Sequence, residues 1–269
     1  MAIQAADESW VDLPSLGIAA STTPELVGAS EALSALDTAS LGGGVLDPGF
    51  LAPVVAPGKI MAIGLNYSDH IRETNSKAPV NPILFTKYAT SLTGPTGDIV
   101  VDPAVTQMAD YEAELALIIG RRTKGISEAD ALSAVFGYTV ANDVSARDCM
   151  KMDGQLDRAK GQDTFCPIGP WITTADEVPE PHDLGIKTLV NGEVRQDSST
   201  REMLFPIVHL IHFLARGITF EPGDVMLTGT PHGVGFVMDP PRFLQPGDVV
   251  ECEVEGLGKL RNHVVGPTA

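Results

Sequence analysis

Asp110-Tyr-Glu-Ala-Glu-Leu-Ala-Leu-Ile-Ile-Gly120 carries two signals at once. Its second half is a short apolar run closed by glycine, the pattern of a β-strand. Its first half places Glu112 and Glu114 at i and i+2. In a strand those positions share a face, roughly 6–7 Å apart. Two carboxylates so close at the margin of a core repel one another, and the strain is relieved by protonating one or by binding a cation. A hard divalent ion such as Mg²⁺ or Mn²⁺ suits two or three carboxylates and keeps positions for water and substrate. The plain alternative for an E-x-E on its own is a solvated strand face.

The rest of the chain from Lys59 onward has the same β-rich texture. Residues 59–65, 83–87, 134–143, 185–194, 224–229 and 248–254 are apolar or alternating runs bounded by Gly, Pro, Asn or Asp. Glu221-Pro-Gly-Asp-Val and Gln245-Pro-Gly-Asp-Val repeat one turn signature, with Pro presetting φ and Gly accepting φ > 0, and each leads into a strand. Helices are expected at 128–135 and 205–216. The pattern predicts a mixed β architecture with flanking helices (α+β) and not a regular βαβ alternation. The first 58 residues differ, with seven acids and no base. Residues 23–39 have helical periodicity behind an N-cap at Thr22 or Thr23, and a Gly- and Pro-rich loop follows. The chain therefore divides into a small N-terminal segment, 1–58, and a main domain, 59–269.

Composition excludes several functions. With 269 residues, 43% hydrophobic and 20% charged, the chain suits one sizeable core. Eighteen basic against thirty-five acidic residues give −17, a field that repels nucleic acid and anionic membranes. An anionic substrate would need a local reversal of sign. Three cysteines (149, 166 and 252) form no C-x-x-C, which argues against a disulfide framework and for a reducing compartment. No base precedes Lys59 and no apolar run reaches the ~18–20 residues of a bilayer span, so a cytoplasmic location is expected. Neither G-x-S-x-G, H-E-x-x-H nor a phosphate-binding glycine loop is present.

Other segments add candidate groups. Asp143 ends the run 134–141, where a carboxylate can point into a cleft. Arg147 and Asp148 follow it and suit an ordinary surface pair equally well. His70 and Glu73 lie at i, i+3 in a short helix that Ser68 or Asp69 can cap, so the carboxylate can orient the imidazole as a general base. In a base-poor chain Lys87 and Lys160 are candidates for an anionic substrate or a developing oxyanion. The turn 228–235 (TGTPHGVG) can offer backbone N–H groups and the Thr230 hydroxyl to a carboxylate.

Taken together and in order, GLNYSDHIRE (64–73), DYEAEL (110–115), NDVSARD (142–148), KGQDTFCPIGP (160–170), VNGE (190–193) and TGTPHGVG (228–235) resemble the fumarylacetoacetate hydrolase family, across about 59–265. The resemblance is to its short single-module members, which include acylpyruvate hydrolases and the domain-containing-protein-2 branch of oxaloacetate tautomerases. It implies a β-roll, a homodimer, and one Mg²⁺ or Mn²⁺ on Glu112, Glu114 and Asp143. It also implies a catalytic His70–Glu73 dyad with Lys160, and substrate contacts from Tyr67, Lys87, Arg147 and Thr230. Gln162 and Tyr88 depart from the usual residues, and residues 1–58 match little.

The expected substrate is a small 2-oxo or β-diketo acid anion, and a divalent ion with Lys160 and Arg147 would override the chain's negative charge. Two chemistries follow from one enolate. The intact H-x-x-E favours hydrolytic C–C cleavage of an acylpyruvate or fumarylpyruvate. The alternative is oxaloacetate decarboxylation or tautomerisation, or isomerisation of a hydroxy-diene-dioate.

Overall fold

Alternation along single strands organises the molecule. In Ile60–Gly64, Met61 and Ile63 enter one core while Ile60 and Ala62 enter another. Ala113–Ile119 behaves likewise, with Leu115 and Leu117 on one face and Ala116 and Ile118 on the other. A strand buried on both faces reads as a continuous apolar run, which explains 115–119. These strands lie inside a seven-stranded mixed sheet in the computed structural model, which describes residues 1–42, 44–45 and 49–267. The spatial order is Ile83–Lys87, Ile60–Gly64, Val225–Leu227, Ala113–Ile119, Val135–Asn142, Cys166–Thr174 and Leu92–Thr93. A second sheet of five strands is ordered Glu193–Ser199, Gly185–Val190, Val249–Val254, Gly258–Val265 and Ile99–Val100. Residues of the second sheet and of helix Ile207–Ala215 join one core, including Ile186, Val250, Leu260, Leu210 and Ile211. The architecture is the mixed β fold with flanking helices that the sequence predicts.

Both Pro-Gly turns form. Asp224 and Asp248 donate backbone N–H to Glu221 and Gln245 at 3.1 and 3.0 Å, with Gly223 and Gly247 at φ 82° and 102°. Each aspartate carboxylate accepts the N–H that opens its own turn, at 2.7 and 2.8 Å. The strands Val225–Leu227 and Val249–Val254 start immediately after.

Helical expectations need correction in two places. Residues 23–39 do not form one helix. Thr23–Gly28 is capped by a reciprocal Thr22–Glu25 box, and a second helix, Ser30–Ser34, follows a break at Ala29. Gly28 weakens continuation, and Thr23 and Val27 are the buried side chains holding the first helix down. Residues 128–135 contain only the 3₁₀ turn Ala131–Ala134. Val135 is already strand, opposite Ile119, and its β-branched side chain fits that pairing. Helix Ile207–Ala215 forms as expected.

The N-terminal segment packs on the main body. Strands Ala2–Gln4 and Trp10–Asp12 pair antiparallel, Trp10 and Phe50 meet Trp171 at 5.8 and 5.5 Å, and Val27 and Val54 join the second core. Gly43 and residues 46–48 of the expected loop lie outside the described residues. Among the described residues no helix is long and apolar enough to cross a membrane.

Candidate metal centre and active site

Strand pairing brings the three acids together. Glu114 is opposite Ala141 and Ala113 opposite Asn142, and beyond the ladder Asp143 donates its backbone N–H to the Glu112 carbonyl at 2.8 Å. Glu114 on one strand and Glu112 just before its start thus meet the residue that follows the end of the next. Oxygens of Glu112, Glu114 and Asp143 lie within 4.8 Å of one another, and all three residues are buried. Asn142 helps to fix the junction, its Oδ1 accepting the Glu112 N–H at 3.0 Å.

Cations surround two of the three carboxylates. Lys160 Nζ donates to Glu112 Oε2 at 2.7 Å and to Asp143 Oδ2 at 2.6 Å. Arg147 Nη2 pairs with Glu112 Oε1 at 2.6 Å, and its Nε donates to Asp110 Oδ2 at 2.9 Å. Lys87 Nζ donates to Asp143 Oδ1 at 2.6 Å and to the Lys160 carbonyl. Burial opposes ionisation of Glu112, but Lys160 and then Arg147 outweigh it and pull the carboxyl down to about 2. Burial opposes the charge of Lys160 too, and Asp143 and Glu112 restore it.

Glu114 is the unbalanced member. It accepts one backbone N–H, from Gly229 at 2.6 Å, and is in no ion pair among the described residues. Burial first, then Asp143 and Glu112, push its carboxyl well above the usual carboxylate range. An all-oxygen set of three crowded acids, one lacking a counter-charge, has the donor chemistry of a hard divalent cation site. Glu112, Glu114 and Asp143 would hold that ion.

The remaining groups enter from the helix Ser68–Glu73 and the 228–235 turn. Tyr67 is the N-cap of this helix, and neither Ser68 nor Asp69 caps it. Asp69 instead accepts its neighbour's N–H from His70 at 2.7 Å and the Ser198 hydroxyl at 2.6 Å. His70 Nδ1 meets Glu73 Oε1 at 2.6 Å, and the other Glu73 oxygen accepts the Gly233 N–H at 2.8 Å. That turn also holds Glu114 through Gly229, which has φ 99° and approaches Asn66 so closely that a Cβ would lie 2.8 Å from that side chain. One turn therefore positions a triad carboxylate and the His-bound carboxylate.

All the residues singled out in the sequence lie in or around this cluster, in different ways. Thr230 is buried on the turn, and Arg147, its side chain only 10% exposed, bridges two acids and is not the surface pair that its spacing equally allowed. Lys87 is enclosed, both its hydrogen bonds going to Asp143 and the Lys160 backbone. Tyr67 is fully buried beside Glu114, and among the described residues its hydroxyl makes no hydrogen bond of good geometry. Two residues were missed. Asp110 accepts from Gly235 and Phe236 at 2.8 and 3.1 Å and from Arg147, tying the loop over the site to its floor. Gln196, on the second sheet, bonds Thr230 and Ala113. The acid preceding E-x-E was a readable hint of the first, whereas the second has no local signal.

A family model described as fumarylacetoacetate (FAA) hydrolase C-terminal matches residues 59–265. The mitochondrial oxaloacetate tautomerase fahd2 of Xenopus laevis is 50% identical over 217 residues, which are 80% of this chain and 68% of that protein. The human mitochondrial oxaloacetate tautomerase FAHD2A is 49% identical over 218 residues, 80% of this chain and 69% of that protein. Among solved structures, the 2-hydroxyhepta-2,4-diene-1,7-dioate isomerase of Mycobacterium marinum has a TM-score of 0.71 at 40% identity, covering 81% of this chain and 78% of its own. A Mycobacterium smegmatis structure at TM-score 0.90 and 32% identity covers 99% of this chain and 96% of its own, and so extends over the N-terminal segment. The chain belongs to the fumarylacetoacetate hydrolase family.

Proposed function

We propose that the protein interconverts the keto and enol forms of a 2-oxo dicarboxylic acid of the oxaloacetate kind. The observation that carries this reading is a His–Glu pair and a three-carboxylate cluster held by one turn, whose Gly233 N–H bonds Glu73 and whose Gly229 N–H bonds Glu114. Support comes from relatives named oxaloacetate tautomerase at about half identity over four-fifths of the chain. Mg²⁺ or Mn²⁺ bound to Glu112, Glu114 and Asp143 would supply the positive charge that makes a proton on carbon 3 of a 2-oxo acid acidic.

The chain's own groups do the rest. His70 Nδ1 is committed to Glu73, so Nε2 takes the proton from carbon 3 and delivers it to the carbon 2 oxygen to give the enol, and the reverse reaction carries it back from that oxygen to carbon 3. Glu73 holds the ring, and the Gly233 N–H holds Glu73. Lys160 and Arg147 keep fixed positive charge beside the acids and so offset the −17 of the whole chain where the substrate anion must enter. Thr230 offers a hydroxyl to a substrate carboxylate.

A second reading is favoured by the dyad itself. A His–Glu contact of 2.6 Å is suited to activating water, as hydrolytic C–C cleavage of an acylpyruvate requires. A panel of enol oxaloacetate, acetylpyruvate and fumarylpyruvate, assayed before and after EDTA treatment, separates the two. Tautomerisation predicts EDTA-sensitive loss of enol oxaloacetate above the spontaneous rate, with little cleavage of the diketo acids. Cleavage of acetylpyruvate or fumarylpyruvate without enol turnover would establish hydrolysis instead.

A further inference from the structure

We infer that Gln196 is a positioning residue that fixes the Thr230 hydroxyl as a hydrogen-bond donor, which selects an ionised carboxylate at that point of the site. This deepens the proposed function and rests on it. Gln196 lies in Glu193–Ser199 beside a register shift, where Thr188 pairs with Gln196 but Leu189 with Val194. The extra residue re-aims the side chains, and the Gln196 amide ends fully buried between the two sheets.

Its orientation is set by chemistry. One end accepts the Ala113 N–H at 3.0 Å, so it is the oxygen, and the Thr188 hydroxyl reaches the same atom at 2.7 Å. The other end donates to the Pro231 carbonyl at 2.9 Å, which can only accept, so it is the nitrogen. That nitrogen also donates to Thr230 Oγ1 at 2.9 Å. An amide N–H cannot accept, so Thr230 is the acceptor in this pair and its own proton points elsewhere. Among the described residues no protein atom takes that proton. Gly229, next to Thr230 in the turn, bonds Glu114, so the Thr230 hydroxyl stands beside the metal-candidate cluster. A carboxylate accepts such a proton strongly, and a protonated acid or an ester accepts it far less well.

The same amide oxygen holds the N–H of Ala113, the residue between Glu112 and Glu114. Gln196→Glu retains an oxygen toward Ala113 and Thr188 but puts an acceptor where the N–H₂ was, turning the Thr230 proton inward. Gln196→Met removes both ends. Turnover of wild-type protein on enol oxaloacetate is the separate test of the functional reading. For Gln196 itself, the readouts are oxalate affinity of the Mn²⁺-loaded protein by calorimetry, Mn²⁺ affinity, thermal stability, and KM and kcat. We expect Gln196→Glu to weaken oxalate binding and raise KM roughly tenfold with kcat reduced less than threefold and Mn²⁺ affinity kept. Thr230→Val should match it, and the double variant should be no worse than either single one. Unchanged oxalate affinity in a folded, Mn²⁺-binding Gln196→Glu protein, or fully additive losses in the double variant, would overturn the assignment. If Gln196→Glu fails to fold, Thr230→Val and Thr230→Ser decide it: only Ser should keep the affinity, and equal affinity in all three proteins would also overturn it.

Discussion

Asp143 donates its backbone N–H to the carbonyl of Glu112 at 2.8 Å, although thirty residues separate them in the chain. That bond continues the ladder between Ala113–Ile119 and Val135–Asn142 by one step and delivers a third carboxylate to the two already adjacent. Strand register thus controls the donor set. A one-residue slip would turn every side chain of a strand to its other face.

Glu114 is crowded by Asp143 and Glu112 without a counter-charge of its own. Glu114→Gln relieves that repulsion and keeps an oxygen for the Gly229 N–H. In EDTA-treated protein its melting temperature should equal or exceed the wild type's, by up to ~1 kcal/mol of stability. Its Mn²⁺ affinity should fall at least tenfold. Lower stability of the metal-stripped variant than of the metal-stripped wild type would contradict the electrostatic account of this residue.

In the proposed reaction His70 works through Nε2, and Glu73, 2.6 Å from Nδ1, orients the ring. His70→Ala should reduce kcat by ~10² or more, with Mn²⁺ affinity retained. Glu73→Gln should cost less, since an amide oxygen still meets the ring or Gly233. Wild-type kcat in His70→Ala would remove the base from the mechanism.

Arg147 bridges Asp110 and Glu112, with its guanidinium 4.5 Å from the Phe236 ring. Truncation to Ala leaves two buried carboxylates without this partner, a loss of ~3–5 kcal/mol. Lys restores charge but not the fork that reaches both acids, so Arg147→Lys should recover less than half of the loss in denaturant melts. Full recovery would show that charge alone is needed.

How much of this was legible depends on distance along the chain. The His70–Glu73 contact is one helical turn and follows from local geometry; Glu112 and Glu114 converge as the i, i+2 spacing suggests, although the strand begins only at Ala113 and leaves Glu112 just outside it. The Pro-Gly turns at 222–223 and 246–247 were equally readable, because proline and glycine fix backbone angles locally. Asp143 joining the acids depends on which strands pair and in what register, and spacing does not encode that; only the ordered set of motifs pointed to it. Gln196 belongs to another sheet and was invisible. Errors fell where periodicity was a weak guide. Residues 23–39 keep helical spacing past Gly28 and Ala29, where the backbone breaks, and 128–135 lost their helix to the pairing of Val135 with Ile119.

His182 makes stability depend on pH. Its Nε2 accepts the N–H of Ile207, the first residue of helix Ile207–Ala215, at 2.9 Å, a bond that requires neutral imidazole. Burial lowers its proton affinity below the usual imidazole range, with Glu180 opposing. The folded state then binds this proton less readily than the unfolded one, whose His titrates near ~6.5, so the contribution is complete above that pH and is lost as pH falls through the lower folded value. His182→Asn keeps an acceptor that does not titrate. Between pH 7 and pH 5 the wild type should lose up to ~1 kcal/mol more than His182→Asn in thermal melts. Parallel losses would contradict this.

Cys149, Cys166 and Cys252 are free and buried. Burial pushes the Cys166 and Cys252 thiols up to about 12. The native protein should leave these two unreactive toward a disulfide reagent at pH 8, and all three should react after denaturation. Rapid native labelling of Cys166 or Cys252 would show that the cores around them open.

The most direct measurement is anomalous diffraction from crystals grown with Mn²⁺. A single peak should lie at about 2.1 Å from one oxygen each of Glu112, Glu114 and Asp143. No peak at that position, together with undiminished turnover of a 2-oxo acid by protein stripped with EDTA, would contradict it.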